Sequence, residues 1–231
     1  MRTVLNKPFR IRSFVRRDSR KTPAQMHALQ SDLPSFGFNI ENGLFDSEKI
    51  FGRIAPLLLE IGFGSGESLL TLATTHPDKD FIGVETHRPG IGALLMGMKR
   101  NNINNIRIFA HDIIDVFDKS VVDNSLDGIQ IFFPDPWQKR RHHPRRLIQP
   151  SFISIAISKL KLGSSLHLAT DWEDYAKHMM RVLSNDNDLI NVAGVNQFAT
   201  RSVYRPILTK FERRAQKEGR LIWELQFVKG K

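Results

Sequence analysis

An α/β fold built on a parallel sheet is predicted for this 231-residue chain. Three observations carry that prediction. Short apolar runs alternate with helical patterns from residue 57 onward, and strands alternating with helices close into a parallel sheet through right-handed crossovers. The run ends carry glycine, proline or aspartate, where the ligands of such sheets bind. Finally, the length and a hydrophobic fraction of 41% suit one large domain with a sizeable core.

The elements follow in order. After a turn-rich stretch over 31–43, the apolar run 57–61 ends at Gly62 and reads as a buried strand. Residues 67–75 are helical, stopped by Pro77, and 81–84 form the second strand. Over 88–100, Ile91, Leu94, Leu95 and Met98 share one helical face, although Gly92 and Gly97 weaken that helix by up to ~1 kcal/mol each relative to alanine. Residues 106–110 and 126–133 are the next strands, the latter halted by Pro134 and Pro136. A helix over 148–160, a strand over 165–169 and a helix over 172–183 follow. Strands at 189–192 and 221–228, with a helix from 210 to about 217 between them, complete the chain.

Charge narrows the function. There are 34 basic and 24 acidic side chains, a net +10, with an isoelectric point near 10.1. That balance favours a polyanionic partner, nucleic acid ahead of an acidic membrane surface. Zero cysteines exclude disulfides, thiolate metal sites and a thiol nucleophile, and fit a reducing compartment such as the cytoplasm. No apolar run reaches the ~18 residues of a membrane-spanning helix. The bases fall in three clusters: eight over 1–21 against one acid, five over 139–146 against none, and Lys210, Arg213, Arg214, Lys217 and Arg220. One cluster alone reads as a solvated face; three together suit a phosphate backbone, which is held by many weak contacts. The N-terminal cluster also has the composition of an organellar transit peptide, but lacks the apolar core of a secretory signal.

Chemistry-bearing residues gather at the strand ends. Glu60-Ile61-Gly62-Phe63-Gly64-Ser65-Gly66 ends the first strand, and its glycines allow close backbone approach to a ligand or simply make a tight turn. Glu67 stands where a dinucleotide fingerprint needs glycine. A carboxylate there repels a pyrophosphate, which argues against NAD and for a phosphate-free nucleoside cofactor such as S-adenosylmethionine. Glu85 ends the second strand, placed for ribose hydroxyls or left as a surface acid. His111-Asp112 ends the third, where Asp112 receives an adenine amine or caps a helix; a metal site from His111, Asp112 and Asp115 lacks further ligands. Phe132-Phe133-Pro134-Asp135-Pro136-Trp137 ends the fourth, with Lys139 and the basic run directly after it. Ala169-Thr170-Asp171-Trp172 ends the fifth, and Asp171 suits an N-cap as well as a ligand. Thr209-Lys210-Phe211-Glu212 has the capping-box pattern.

Taken in this order, Glu60–Gly66, 133–137, 169–172 and Thr209–Glu212 resemble the bacterial tRNA (guanine-N7-)-methyltransferases, over about 51–228. The resemblance implies a class I methyltransferase fold: a seven-stranded, mostly parallel, Rossmann-like sheet with the last strand antiparallel and helices on both faces. It implies S-adenosyl-L-methionine as cofactor, tRNA as partner and no metal. Glu60, Gly62, Gly64, Glu85, Asp112 and Asp135 become cofactor-side positions, with Asp135 also catalytic. Lys139, Asp171, Thr209, Lys210, Phe211 and Glu212 become tRNA-side positions. One spacing departs from the family: two residues, Ile207 and Leu208, separate Arg205-Pro206 from Thr209 where a single residue is expected. The organisation that follows is a basic extension over 1–37 and a methyltransferase domain over 38–231, as monomer or homodimer. The competing readings are a methyltransferase for an exocyclic amine of RNA or DNA, a nucleotide-dependent oxidoreductase, and a non-enzymatic RNA-binding protein with a relic pocket.

Overall fold

The computed structural model describes residues 20–202, 205 and 207–230; the basic cluster over 1–21 lies almost wholly outside the described residues. Helices α1 (Pro23–Ser31), α2 (Leu33–Phe36) and α3 (Ser47–Phe51) precede strand β1 (Leu57–Ile61). Next come α4 (Glu67–Thr75), β2 (Asp80–Val84), α5 (Arg88–Arg100), β3 (Ile106–Phe109), α6 (Ile113–Lys119) and β4 (Leu126–Phe132). The chain continues through α7 (Pro150–Lys159), β5 (Leu160–Thr170), α8 (Glu173–Ser184), β6 (Leu189–Asn191), α9 (Lys210–Lys217) and β7 (Trp223–Lys229).

Among the described residues, seven strands make one sheet in the order β3-β2-β1-β4-β5-β7-β6. The first five pair in parallel, and β7 runs antiparallel to both of its neighbours, as the resemblance implies. Helices cover both faces. On one side Leu59, Ile82 and Ile131 pack with Val116 and Phe117 of α6, Phe152 of α7 and Leu183 of α8. On the other, Phe81 and Ile108 pack with Leu72 of α4, Leu94 and Met98 of α5, and Leu29 of α1. The strand order reverses between β1 and β4, and that crevice is where the carboxyl ends of an open parallel sheet accept ligands.

Several elements differ from the sequence-based expectation, among them the short helices α2 and α3 where no helix is anticipated. Helix α1, started by a capping box of Thr22 and Gln25, packs onto α5. A Cβ at Gly92 would stand 2.9 Å from Gln25 Cβ, so this helix-weakening glycine admits α1 at close range. Helix α6, missing from the expected elements, follows Asp112, which takes the N-cap role the sequence allowed it: its carboxylate accepts from the Ile114 N–H. Strand β5 starts at Leu160, five residues earlier than expected: a register shift against β4 between Leu126 and Gly128 absorbs the Gly163-Ser164 break. Among the described residues, no helix is long and apolar enough to cross a membrane, and no cluster of three potential ligands is placed to hold a metal.

Candidate active site

The glycine loop joins β1 to α4 at the crevice. Gly62 and Gly64 have φ of +75° and +59°, and a Cβ built on either meets nothing within 4 Å. Both therefore occupy left-handed backbone beside unfilled space. Glu85, just beyond β2, braces the loop: its Oε2 accepts from the Gly64 N–H (3.0 Å) and its Oε1 from the N–H groups of Thr86 (2.7 Å) and His87 (2.9 Å). Three backbone donors thus fix this carboxylate. Glu60 of β1 is 4% exposed, and its Oε2 is buried with no hydrogen-bond partner. Burial first, and then the charge of Glu85, pushes its carboxyl up to about 8, against the opposing pull of Arg205. Asp112 caps α6 and at the same time lines a cavity of about 190 Å³ shared with Gly62, Glu85 and Asp135.

The end of β4 is strained. Phe133 and Trp137 have φ of +53° and +46°, a region that bulky residues rarely enter and that costs about 1–3 kcal/mol each. Surrounding contacts hold both. The Phe133 N–H donates to the Ala169 carbonyl (2.8 Å), and the guanidinium of Arg145 lies 5.0 Å from the Trp137 ring centroid. Arg146 donates from Nε to the Pro136 carbonyl (2.9 Å) while paired with Asp174. Asp135 is held between these points, exposed at the cavity rim.

Helix α9 closes the cleft from the far end of the chain. Thr209 and Glu212 form the anticipated capping box. Phe211 stacks on Phe133, with ring centroids 5.9 Å apart and planes 17° apart. A narrow space is left between Glu60, Gly64, Phe133, Thr209, Lys210 and Phe211. Residues some 150 positions apart in sequence thus face each other across one groove.

A curated relative from Idiomarina loihiensis, named tRNA (guanine-N(7)-)-methyltransferase, is 46% identical over 96% of this chain and 90% of its own length. The chain belongs to the tRNA (guanine-N(7)-)-methyltransferase family. A relative of the same name from Pseudomonas savastanoi pv. phaseolicola is 48% identical over 95% of this chain and 90% of its own. The family model described as "Putative methyltransferase" matches residues 54–225. Among solved structures, the 16S rRNA methyltransferase KamB superposes with a TM-score of 0.56 at 11% identity, covering 81% of this chain and 95% of that one. The 30S ribosomal A1408 methyltransferase from an uncultured bacterium superposes with a TM-score of 0.53 at 15% identity, over 78% and 91%. These two likenesses are of fold.

In this member of the tRNA (guanine-N(7)-)-methyltransferases, the crevice gathers Glu60, Gly62, Gly64, Glu85, Asp112, Asp135, Thr209, Lys210 and Phe211. Three of the expected residues stand elsewhere. Lys139 is exposed at the start of a 3-10 turn over Arg140–Arg145. Asp171 lines a separate cavity with Trp172, Trp223 and Arg220 and pairs with Arg220 (2.9 Å). It does not cap α8, whose first turn has no side-chain cap; Thr170 Oγ1 accepts from the N–H of Trp172 (3.2 Å) just before it. Glu212 is wholly buried behind the cleft wall, paired with Arg201 and Arg205.

The basic run is divided by burial. Arg140, Arg141 and Arg145 are exposed, whereas Arg146 is 3% exposed, over the Tyr175 ring and paired with Asp174, whose carboxyl it holds below the usual range. Burial first, then Arg141 and Arg145, lowers His142 below the ordinary imidazole value. The C-terminal cluster is partly neutralised, with Arg214 on Glu218 (2.8 Å) and Arg213 on Glu67 (3.7 Å). Sequence patterns overlooked Phe133 as an aromatic platform and Arg205 as a buried cation. The rare backbone of the one and the distant partners of the other leave no local signature.

Proposed function

We propose that this chain methylates N7 of a guanosine in the variable loop of tRNA, using S-adenosyl-L-methionine. The observation that carries the reading is the unpartnered carboxylate oxygen of Glu60, buried opposite the glycine loop. It suits the ammonium group at the amino-acid end of that cofactor. Glu85 suits ribose hydroxyls and Asp112 an adenine amine, both on the adjoining cavity. Gly62 and Gly64 leave room beside them. When bound, S-adenosyl-L-methionine supplies an electrophilic methyl on a sulfonium.

The chain's own residues then position and exclude. Guanine N7 carries a lone pair and no proton, so no general base is required. Asp135 would accept from guanine N1–H and the exocyclic amine, orienting the ring and favouring the positive charge that grows on it. Asp171, at the neighbouring strand end, would accept similarly if released from Arg220. Phe133 and Phe211 would shield the groove from water. Because base edges are hidden in duplex RNA, a looped or splayed nucleotide fits this open rim. The reading puts the enzyme with its substrate in the cytoplasm. Incubation with methyl-labelled cofactor and unmodified tRNA, followed by nucleoside digestion, should yield labelled N7-methylguanosine. Label on an exocyclic amine would favour the rival methyltransferase reading instead.

Two further results follow. Glu60 has a folded value raised from 4.5 to about 8. Its contribution to stability is therefore complete below 4.5 and is lost as pH rises through 8. The unliganded protein should lose melting temperature between those limits, and Glu60→Gln should flatten that part of the profile. Equal slopes in the two proteins would remove the burial argument.

The exposed cations are expected to carry tRNA phosphates. Replacing Arg140, Arg141 and Arg145 with alanine should lower the slope of log affinity against log salt by up to ~0.9 per lost contact on the duplex scale. Cofactor affinity should hold, and melting temperature should fall only by the small loss of the Arg145–Trp137 contact. Arg146→Ala should instead lower the melting temperature, because it removes a buried side chain that bonds the Pro136 carbonyl and packs over the Tyr175 ring. A salt slope unaltered by the triple replacement would make the run a solvated face.

A further inference from the structure

Arg205 is 2% exposed, although a buried charge is costly unless it is paired and hydrogen-bonded. It pairs with Glu212 of α9 and, from Nη1, lies 2.9 Å from Glu224 of β7 as an ion pair without hydrogen-bond geometry. Glu224 in turn meets His167 of β5 through its other oxygen (2.6 Å). The guanidinium also lies 5.3 Å from the Phe132 ring centroid and 5.1 Å from that of Phe133, at the end of β4. Arg201 completes the cluster: besides pairing with Glu212, it donates to the carbonyls of Arg205 (2.7 Å) and Ile207 (2.8 Å). Two strands and a helix therefore converge on one cation, and β5 reaches it through Glu224.

Such a cluster is a poor device for stability, since well-packed apolar side chains commonly do as well. What it does fix is orientation. Glu212 is at once the partner of Arg205 and the acceptor of the Thr209 N–H (2.9 Å), so the position of the cation sets the first turn of α9. That turn carries Phe211, which stacks on Phe133, the ring against which Arg205 itself rests. Thr209, Lys210 and Phe211 form one wall of the groove that holds Glu60 and Gly64 on the other.

We propose that Arg205 is a positioning residue for methyl transfer: it holds the first turn of α9 against the end of β4, so that Phe211 stacks on Phe133 and walls the groove beside Asp135. This rests on the methyltransferase reading above. Arg205 does not line the groove, and it acts through Phe211.

A kinetic cycle on the full chain, with tRNA and S-adenosyl-L-methionine, tests the coupling. Arg205→Lys keeps the charge but loses the planar fork that spans two carboxylates and two rings. It should lower kcat about 10- to 100-fold, as expected when reacting groups are misplaced by roughly 1 Å, with the KM for tRNA changed less than about twofold. Phe211→Ala should lower kcat similarly. The double variant should be no worse than the poorer single one, because both remove the same wall. Multiplicative losses, or a lowered melting temperature with kcat intact, would overturn the inference. Should Arg205→Lys fail to fold, Glu224→Gln loosens the same guanidinium and enters the cycle in its place, with the same two outcomes. Wild-type protein that makes no N7-methylguanosine overturns the parent reading and this inference together. Active wild type with multiplicative losses overturns this inference alone.

Discussion

Asp135→Asn is expected to lower turnover by roughly 100- to 1,000-fold, the scale seen when one preorganised electrostatic group is removed from an active site. The backbone around Asp135 predisposes it to such a role. Two residues before it Phe133, and two residues after it Trp137, are held in left-handed conformations, and the loop is anchored from behind by Arg146. A carboxylate on so constrained a turn needs little reorganisation when charge develops on the substrate. The amide of asparagine would keep one acceptor and the same volume, but lose the negative charge that favours a cationic ring. Affinity for tRNA, which the exposed Arg140, Arg141 and Arg145 are proposed to carry, should change little. Single-turnover rates and equilibrium binding measured on the same preparation separate the two effects. A tRNA with 7-deazaguanosine at the target keeps its N1 and amine edge, so it should bind and accept no methyl group. Methylation of that analogue at another atom would defeat the N7 assignment, whereas full activity of Asp135→Asn would leave Asp171 as the better candidate.

The fold was legible in the sequence wherever one segment decides its own structure. The apolar run 57–61 and the periodic face of Ile91, Leu94, Leu95 and Met98 each specify an element locally, and each is present. The Thr209–Glu212 cap is equally local and is realised with both of its hydrogen bonds. Legibility fails where a partner is distant. Helix α1 has little apolar periodicity of its own and is held by packing on α5. Arg146 reads as one of five neighbouring bases until Asp174 and Tyr175 enclose it. Glu212 is at once a helix cap, readable three residues away, and the partner of Arg201 and Arg205, which no spacing rule connects to it. The strain at Phe133 is likewise invisible: its neighbours Pro134 and Pro136 announce a turn, but not that an aromatic residue adopts a glycine-like φ.

Gly64→Val should abolish binding of S-adenosyl-L-methionine by a protein that remains folded. The φ of +59° makes any side chain there unfavourable, by about 1–2 kcal/mol for an ordinary residue and more for a β-branched one. On a domain of this size each kcal/mol corresponds to about 2–4 °C of melting temperature, so the fold should survive. No protein atom lies within 4 Å of the added Cβ. Valine would therefore project into the groove rather than into the core, and the backbone N–H that braces Glu85 would persist. Gly90→Ala supplies the contrast. There an added Cβ would stand 2.0 Å from the Gly64 carbonyl oxygen, and a backbone atom cannot rotate aside. The N-terminus of α5 would have to lift off the glycine loop, lowering stability and cofactor affinity together. Calorimetric titration and thermal melting of both variants distinguish a ligand cradle from an ordinary tight turn. Lost affinity with a small melting shift for Gly64→Val, beside a joint loss for Gly90→Ala, identifies the cradle. Wild-type affinity in Gly64→Val would mean that the loop only reverses the chain, and the burden of holding the donor would pass to Glu60, Glu85, Asp112 and Asp135.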